Sequence, residues 1–490
     1  MKILLVSPQT PETFWSFKYA VRFVSRRASF PPLGLLTVAA MLPRSWTLKL
    51  VDLDVSRLRD SDLLWADYVM VGGMIVHRQS VEEIAGRCRN LGKEVIAGGP
   101  LFTTGHERFP SIDHFVLGEV EGIMAQVVAD MEEGCLGQVY ECSDRPDVTR
   151  TPVPRWDLIN PKHYVSMSVQ FSRGCPYNCE FCDIIVMNGR VPRSKPPLQL
   201  LAELDALLAL RWKGSVFLVD DNFIGNKRKV KELLRAIIQW RKRTGARLDF
   251  FTEASVNLAD DRELLDLMGQ AGFKKVFLGI ETPELESLKE CRKFQNTRRD
   301  LVESVRAIQK AGMQVMGGFI VGFDHDGPDI FERQFAFIQK AGVVTAMVGL
   351  LTALPKTQLY SRLMKEGRLL AESSGNNTEA VLNFVTKLDA DVLVNGYRRL
   401  MKSLYEPATY YQRVKSFLAE YQHQGPQTHL SLAEVRAFFK SLWFLGVRYP
   451  GRWLYWKFLL QTLLRHPKGF SQAVTLAIYG HHFRLVAAKL

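Results

Sequence analysis

A chain of 490 residues is long for one hydrophobic core, so two or three domains are expected. With 47 % apolar and 23 % charged residues it suits a globular protein; no apolar run reaches the roughly 18 residues of a membrane span, and Ile3-Leu4-Leu5-Val6 is too short for a signal peptide. A soluble or peripheral cytoplasmic protein with reduced thiols is expected, and the net charge of +13 leaves nucleic acid and anionic membrane to be weighed as partners.

Residues 1–140 alternate short apolar runs (2–8, 47–54, 67–73, 93–98 and 113–118) with helix-like stretches over Leu33–Leu42, Ser80–Leu91 and Glu119–Glu133. Such alternation predicts a flavodoxin- or Rossmann-like parallel sheet covered on both faces, with ligands outside the carboxyl ends of the strands. Gly72-Gly73, Gly98-Gly99-Pro100 and Gly118-Glu119 fall at those ends. They serve either as close-approach points for a ligand or as simple tight turns. A proline-marked linker over 141–164 follows, with Pro146, Pro152, Pro154 and Pro161. Strand-like runs then recur at 165–173, 215–220, 247–256, 275–280, 314–321 and 343–352, separated by helical stretches such as 198–210, 227–243, 262–271, 299–311 and 330–340. Six such units over 165–375 predict a partial (β/α)6 TIM-like barrel, with its chemistry at the carboxyl ends of the strands. From 376 to 490 helical periodicity, aromatics and basic residues take over, and a helical C-terminal domain is expected.

After the first barrel strand stands Arg173-Gly174-Cys175-Pro176-Tyr177-Asn178-Cys179-Glu180-Phe181-Cys182, a CxxxCxxC run. Three thiolates on one loop can hold three irons of a 4Fe–4S cluster, because soft sulfur suits iron, and no fourth cysteine lies nearby to fill the last position. A disulfide framework sits poorly with seven cysteines in so long a chain. A structural zinc site wants a fourth Cys or His at short spacing. The metal ligands are therefore assigned to Cys175, Cys179 and Cys182, and the open iron reads as catalysis.

Further along, Asp220-Asp221 ends the second barrel strand, where paired carboxylates can bind metal, accept from a ligand or cap the next helix. On the third strand, alternation puts Glu253, Ser255 and Asn257 on one face. Polar groups facing into a barrel are costly unless a ligand or network satisfies them, which favours a ligand-binding trio. The fourth strand ends Gly279-Ile280-Glu281 and the fifth carries Gly317-Gly318-Phe319-Ile320-Val321-Gly322.

The cysteine loop, with Phe181 before its last Cys, resembles that of the radical S-adenosylmethionine (SAM) enzymes. The resemblance implies that SAM chelates the open iron and is reductively cleaved to a 5′-deoxyadenosyl radical. It also implies that Gly279 and Glu281 contact the ribose and amino acid of SAM, and that the strand with Gly318 backs its adenine. With the N-terminal domain added, including Pro31-Pro32-Leu33-Gly34-Leu35-Leu36, Gly98-Gly99-Pro100 and Leu117-Gly118-Glu119, roughly residues 1–375 resemble the cobalamin-dependent class. Gly98 and Gly99 would then receive the cofactor's nucleotide tail. The DxHxxG motif of other cobalamin proteins is absent at Asp52-Leu53-Asp54-Val55, and His77 is the one loop histidine weighed as a lower ligand, against an ordinary hydrogen-bonded role.

The tail resembles a C-terminal extension of undefined function. From Ser431 on, Arg436, Lys440, Arg448, Arg452, Lys457, Arg465, Lys468, Arg484 and Lys489 face one acid, Glu434, and interleave with Phe438, Phe439, Trp443, Trp453, Tyr455, Trp456 and Phe458. A packed core, a membrane headgroup boundary and a nucleic-acid surface compete here, nucleic acid being the least favoured. Together these features imply a cobalamin-dependent methyltransferase acting on an unactivated carbon, of a hopanoid-like lipid or a tetrapyrrole ahead of a peptide. Its cofactors would be a 4Fe–4S cluster, SAM and cobalamin. Its partners would be a flavodoxin or ferredoxin electron donor and the inner face of a membrane. The alternatives are ring formation or oxidation without methyl transfer, and a non-catalytic iron–sulfur redox or sensor protein.

Overall fold

The structure, a computed structural model, describes residues 1–142, 144–376, 378–422 and 432–490. The N-terminal alternation becomes a parallel sheet of β1 (Lys2–Ser7), β2 (Thr47–Asp52), β3 (Tyr68–Gly72), β4 (Glu94–Gly98), β5 (His114–Leu117) and β6 (Val139–Glu141), in the order β2-β1-β3-β4-β5-β6. Successive residues of β1 serve opposite faces: Ile3 and Leu5 pack with Leu35, Ala39, Met124 and Val127, whereas Leu4 and Val6 share a core with Leu63, Val81, Ile84 and Cys88. Burial on both sides explains why these strands are near-continuous apolar runs. The order reverses between β1 and β3, which places the crevice of a doubly wound sheet at their carboxyl ends. The sixth strand was not foreseen, and the helix expected from Glu119 begins at Met124 behind a short turn at Val120–Gly122.

The second sheet holds β7 (Ser166–Val169), β10 (Ser215–Leu218), β11 (Asp249–Ala254), β12 (Phe273–Glu281), β13 (Gln314–Val321) and β14 (Thr345–Leu350), all parallel, in the order β14-β13-β12-β11-β10-β7. This is the open six-stranded barrel. The single strand expected over 165–173 is instead broken: β8 (Ser172–Arg173) leaves it to pair antiparallel with β9 (Arg193–Ser194). The cause is Asp220, whose carboxylate accepts from the backbone N–H groups of Phe171 and Ser172 at 2.8 Å and from the Ser172 hydroxyl at 2.6 Å. No strand follows Leu350 among the described residues, and helices Ala390–Tyr405, Pro407–Glu420, Leu432–Trp443, Arg452–Arg465 and Phe470–Ala487 form the C-terminal domain.

Two contacts hold the N-terminal domain against the barrel. The long loop after β1 closes the open side: Ala28 bridges to Tyr164, Ser166 N–H donates to Ser29 O at 3.0 Å, Phe30 lies 5.3 Å from Phe217, and Trp15 lies 4.8 Å from Phe277. At the carboxyl ends, Glu119 and Glu121 receive Arg173, Glu119 also receives Arg193, and Glu372 receives Arg78 and Arg108.

Candidate functional site: the cysteine loop and the strand ends

Gly174 opens the cysteine loop with φ +97°, and a Cβ there would fall 2.9 Å from Val191 O, so glycine is required on two counts. Its N–H donates to Asp221 Oδ2 at 2.7 Å, and the same oxygen accepts from Asn188 at 2.9 Å. Neither carboxylate of Asp220-Asp221 caps the following helix, which Asn226 does; both instead fix the path of the chain into the loop. On the far side, Glu180 N–H donates to Cys291 O at 3.0 Å, and the Glu180 carboxylate accepts from Arg362 at 2.7 Å.

Cys179 is buried, and burial raises the thiol pKa of Cys175 and Cys182, the Cys179 charge adding to both. Among the described residues no three His, Cys, Asp or Glu side chains converge on one metal-ion position. Three soft thiols on one loop are the donor set that suits an iron–sulfur cluster. Cys291 also lies behind the loop, but its thiol donates to Leu288 O at 3.6 Å within an apolar core, so three cysteines remain.

Sequence reasoning missed Lys293. Its ammonium sits 2.7 Å from Glu281 Oε1 and 6.0 Å from the centre of the Phe181 ring. Burial opposes its charge, but Glu281, with Cys179 and Cys182, holds its pKa well above the ordinary lysine value. Glu281 itself has φ +67°, in the left-handed region, just past a register shift between β12 and β13 at Gly279/Glu281. A Cβ on Gly279 would lie 2.4 Å from Glu281 Oε1 and 2.7 Å from Lys293 Nζ. The glycine thus makes room for this ion pair. Gly318 likewise makes room for Phe277, whose ring would meet a Cβ at 2.7 Å.

The trio on the third strand is corrected in part. β11 stops at Ala254, so Asn257 lies on a 3-10 turn (Val256–Asp260) and does not share a strand face. Hydrogen bonds bring it back: Ser255 Oγ donates to Asn257 Oδ1 at 2.6 Å, and Asn257 Nδ2 to Tyr177 OH at 2.8 Å. Asn222 joins from the other side, with Nδ2 3.3 Å from Ser255 Oγ and 3.8 Å from Cys175 Sγ. A polar chain thus links the cysteine loop to the ends of two strands. Glu253 stands apart from it. It pairs in register with Phe277 on the neighbouring strand and accepts no hydrogen bond from another described residue. Desolvation, with Asp221 adding its charge, pushes its carboxyl up to about 7.

In the N-terminal domain Gly73, Gly98, Gly99 and Gly118 gather where the crevice was expected. Gly73 N–H donates to Gly98 O, a Cβ on Gly98 would lie 3.1 Å from Val116 O, and Gly99, with φ +96°, starts the turn Pro100–Thr103, where a Cβ would lie 3.0 Å from Gly73 O. His77 is buried here; its Nδ1 accepts from Met74 N–H at 3.2 Å. The proton then belongs on Nε2, which donates to Thr10 Oγ1 at 3.4 Å while Thr10 donates to Asp54. This histidine has no free lone pair, so the structure does not support it as a metal ligand. Asp52 accepts from Tyr164 OH at 2.8 Å, tying the linker to the end of β2.

Beside the cysteine loop runs a groove of about 520 Å³ lined by Glu180, Arg292, Lys356, Gln358, Arg362 and Lys365 among others.

The family model described as the Radical SAM superfamily matches residues 169–338, and the one described as Domain of unknown function (DUF4070) matches 357–490. The chain is 42 % identical over 489 residues, 99 % of this chain and 91 % of the relative, to an uncharacterized methyltransferase of Synechocystis sp.. It is 34 % identical to the hopanoid C-2 methylase of Rhodopseudomonas palustris, over all of this chain and 94 % of that one. In fold it is similar to TsrM from Kitasatospora setae, solved with cobalamin and a [4Fe-4S] cluster (TM-score 0.64, 16 % identity, 99 % of each chain), and to the cobalamin-dependent SAM radical enzyme OxsB (TM-score 0.64, 15 % identity, all of this chain and 79 % of that one). Three cysteines on one loop at the first strand end of an open barrel, preceded by a doubly wound domain and matched along the whole chain, have one outcome: the chain belongs to the radical SAM superfamily, in the same group of methyltransferases as the hopanoid C-2 methylase.

Proposed function

We propose that this protein is a cobalamin-dependent radical SAM C-methyltransferase whose substrate is a polycyclic lipid of the hopanoid kind. The observation that carries the chemistry is the junction of Cys175, Cys179 and Cys182 with the buried Glu281–Lys293 pair at the barrel's strand ends. When bound, a cluster and cobalamin supply the radical and the methyl group, and the protein aims them. The cysteines offer thiolates, Glu281 offers an anionic acceptor for hydroxyls or an ammonium, and the Asn222–Ser255–Asn257–Tyr177 chain holds the loop in register with the strands. Gly73, Gly98, Gly99 and Gly118 offer close backbone approach across the crevice. The His77 lone pair, engaged by the Met74 N–H, would not be free for a cobalamin held there. Below the strand ends, Phe217, Phe251, Phe277, Phe30 and Trp15 line the barrel with aromatic surface, suited to a flat apolar substrate.

Such an enzyme needs a one-electron donor. Arg362 in the groove is neutralised by Glu180 and Asp324, but Arg292, Lys356 and Lys365 form no ion pair among the described residues, which supports an acidic flavodoxin or ferredoxin beside the cluster loop. A lipid substrate also calls for contact with a bilayer.

The reading is tested by anaerobic reduction with SAM carrying a labelled methyl group. Formation of 5′-deoxyadenosine, with label in a lipid from extracts of a deletion strain, is expected. Deoxyadenosine without labelled product would shift the reading to ring formation or oxidation, and its absence would favour a redox or sensor role.

A further inference from the structure

The second apolar face of helix Arg452–Arg465 has no partner among the described residues. Its inner face is accounted for: Tyr455, Phe458, Leu459 and Thr462 are buried. The opposite face repeats at helical spacing with Trp453, Trp456, Leu460, Leu463 and Leu464, which are 75, 42, 59, 53 and 74 % exposed. A helix apolar all round belongs in a core or a membrane, and this one sits on the surface. A second stripe runs beside it through Phe439, Trp443 and Val447 at four-residue spacing, with Phe444 next to it. The two are held together because Trp456 Nε1 donates to Gly446 O at 2.9 Å, leaving a groove of about 360 Å³ lined by Val447, Arg452, Trp453 and Trp456.

We infer that this face docks on an anionic lipid bilayer, lying in the headgroup boundary without crossing it. Charge selects the occupant. Arg448, Arg452, Lys457, Arg465 and Lys468 surround the stripes, are exposed, and form no ion pair among the described residues. A second copy packed on the same face about a twofold axis would bring these cations together, which is unfavourable, whereas anionic headgroups complement them. Trp, Leu and Phe with Arg and Lys on one exposed surface is the composition of interfacial segments. No helix among the described residues is long and apolar enough to cross a membrane, consistent with peripheral docking. The face also borders the route inward. Lys440 donates to Arg22 O and Ser25 Oγ, and Phe444 meets Phe23 at 5.7 Å, so the face abuts the loop that lays Trp15 on Phe277 inside the barrel. Docking there would set the loop at the open side of the barrel close to the bilayer.

The choice of a bilayer deepens the lipid reading and leans on it, but its test does not need turnover. Full-length protein is floated with vesicles of phosphatidylglycerol and phosphatidylcholine, and with phosphatidylcholine alone. Wild type is expected to float with the anionic vesicles, and a Trp453→Glu/Leu460→Glu/Leu464→Glu variant to lose about tenfold in bound fraction. These side chains are exposed, so the variant should keep its melting temperature and its SAM cleavage in the absence of lipid. Wild type that does not float, or a variant that floats equally, would overturn the proposal. So would a wild-type dimer that the substitutions convert to monomer without any flotation. Flotation by wild type without methyl transfer to any lipid would sink the catalytic reading and leave the docking face standing.

Discussion

The Lys293 ammonium and the Glu281 carboxylate are both buried, and among the described residues each is the other's only charged partner within an ion-pair distance. Removing one member of such a pair strands the other's charge in a low-dielectric site, which costs about 3–5 kcal/mol. Lys293→Met should therefore lower the unfolding free energy by that amount, read by denaturant titration, and weaken SAM binding, measured by calorimetry on reconstituted protein; an unchanged unfolding free energy would show the pair to be relaxed in solution. Glu253 makes the opposite case. Its carboxyl has no hydrogen-bond or ion-pair partner among the described residues and is pushed up to about 7, above its ordinary value of 4.5, chiefly through desolvation. As pH rises from 4.5 to 7 the unfolded chain releases this proton while the folded chain retains it, so stability falls across that window. Glu253→Gln should flatten that part of the profile in chemical denaturation at several pH values. An unaltered slope would mean that other groups carry it. Neither residue's environment was readable from spacing. The motif located Glu281, but Lys293 lies in a helical region of unremarkable charge pattern, and only the fold brings its Nζ to the cluster loop.

Among the elements, the weight falls on how β8 and the turn after β5 meet. Arg173, two residues before Cys175, reaches Glu121 at 2.7 Å and Glu119 at 2.8 Å, and the Glu121 side chain is fully enclosed. Arg173 holds the Glu121 carboxyl below its ordinary range although burial opposes this. Glu121→Gln should cost about 3 kcal/mol and lower the iron bound per chain after reconstitution, because the strand feeding the cysteine loop loses its anchor. Full iron occupancy in the variant would limit this contact to domain docking. The sequence showed Gly118-Glu119 at a strand end, with close approach of a ligand or a simple tight turn as its alternatives; the structure adds a role as an anchor for the other domain. Most strands and helices of both sheets follow the apolar runs closely, since a parallel strand buried on both faces writes an uninterrupted apolar signature. The break between β7 and β8 and the edge strand β6 were not legible. The first is imposed by Asp220 from a neighbouring strand, and the second is too short to write a pattern.

At the scale of the whole molecule, the C-terminal domain completes the barrel. β14 is the sheet's edge, and helix Ala390–Tyr405 covers it, with Tyr397 OH donating to Val348 O at 3.1 Å and Tyr405 OH to Ala346 O at 2.6 Å. Arg413, itself buried, donates to Leu404 O at 2.9 Å and lies over the Tyr405 and Tyr410 rings. Truncation after residue 388 should expose an apolar edge strand and yield aggregated protein, read by gel filtration. A soluble, SAM-cleaving fragment would show the barrel to be independent of this domain. The class of chemistry was legible in the chain alone, because three cysteines at fixed spacing and the strand-end glycines are local patterns, and local patterns survive without coordinates. The order of the elements was legible too, through the period of the apolar runs. Folding was needed to show which charges neutralise one another, that the His77 lone pair is already engaged, and that the aromatic, basic tail is half core and half exposed face. Those depend on side chains hundreds of residues apart being brought within a few ångströms, and no one-dimensional period records that.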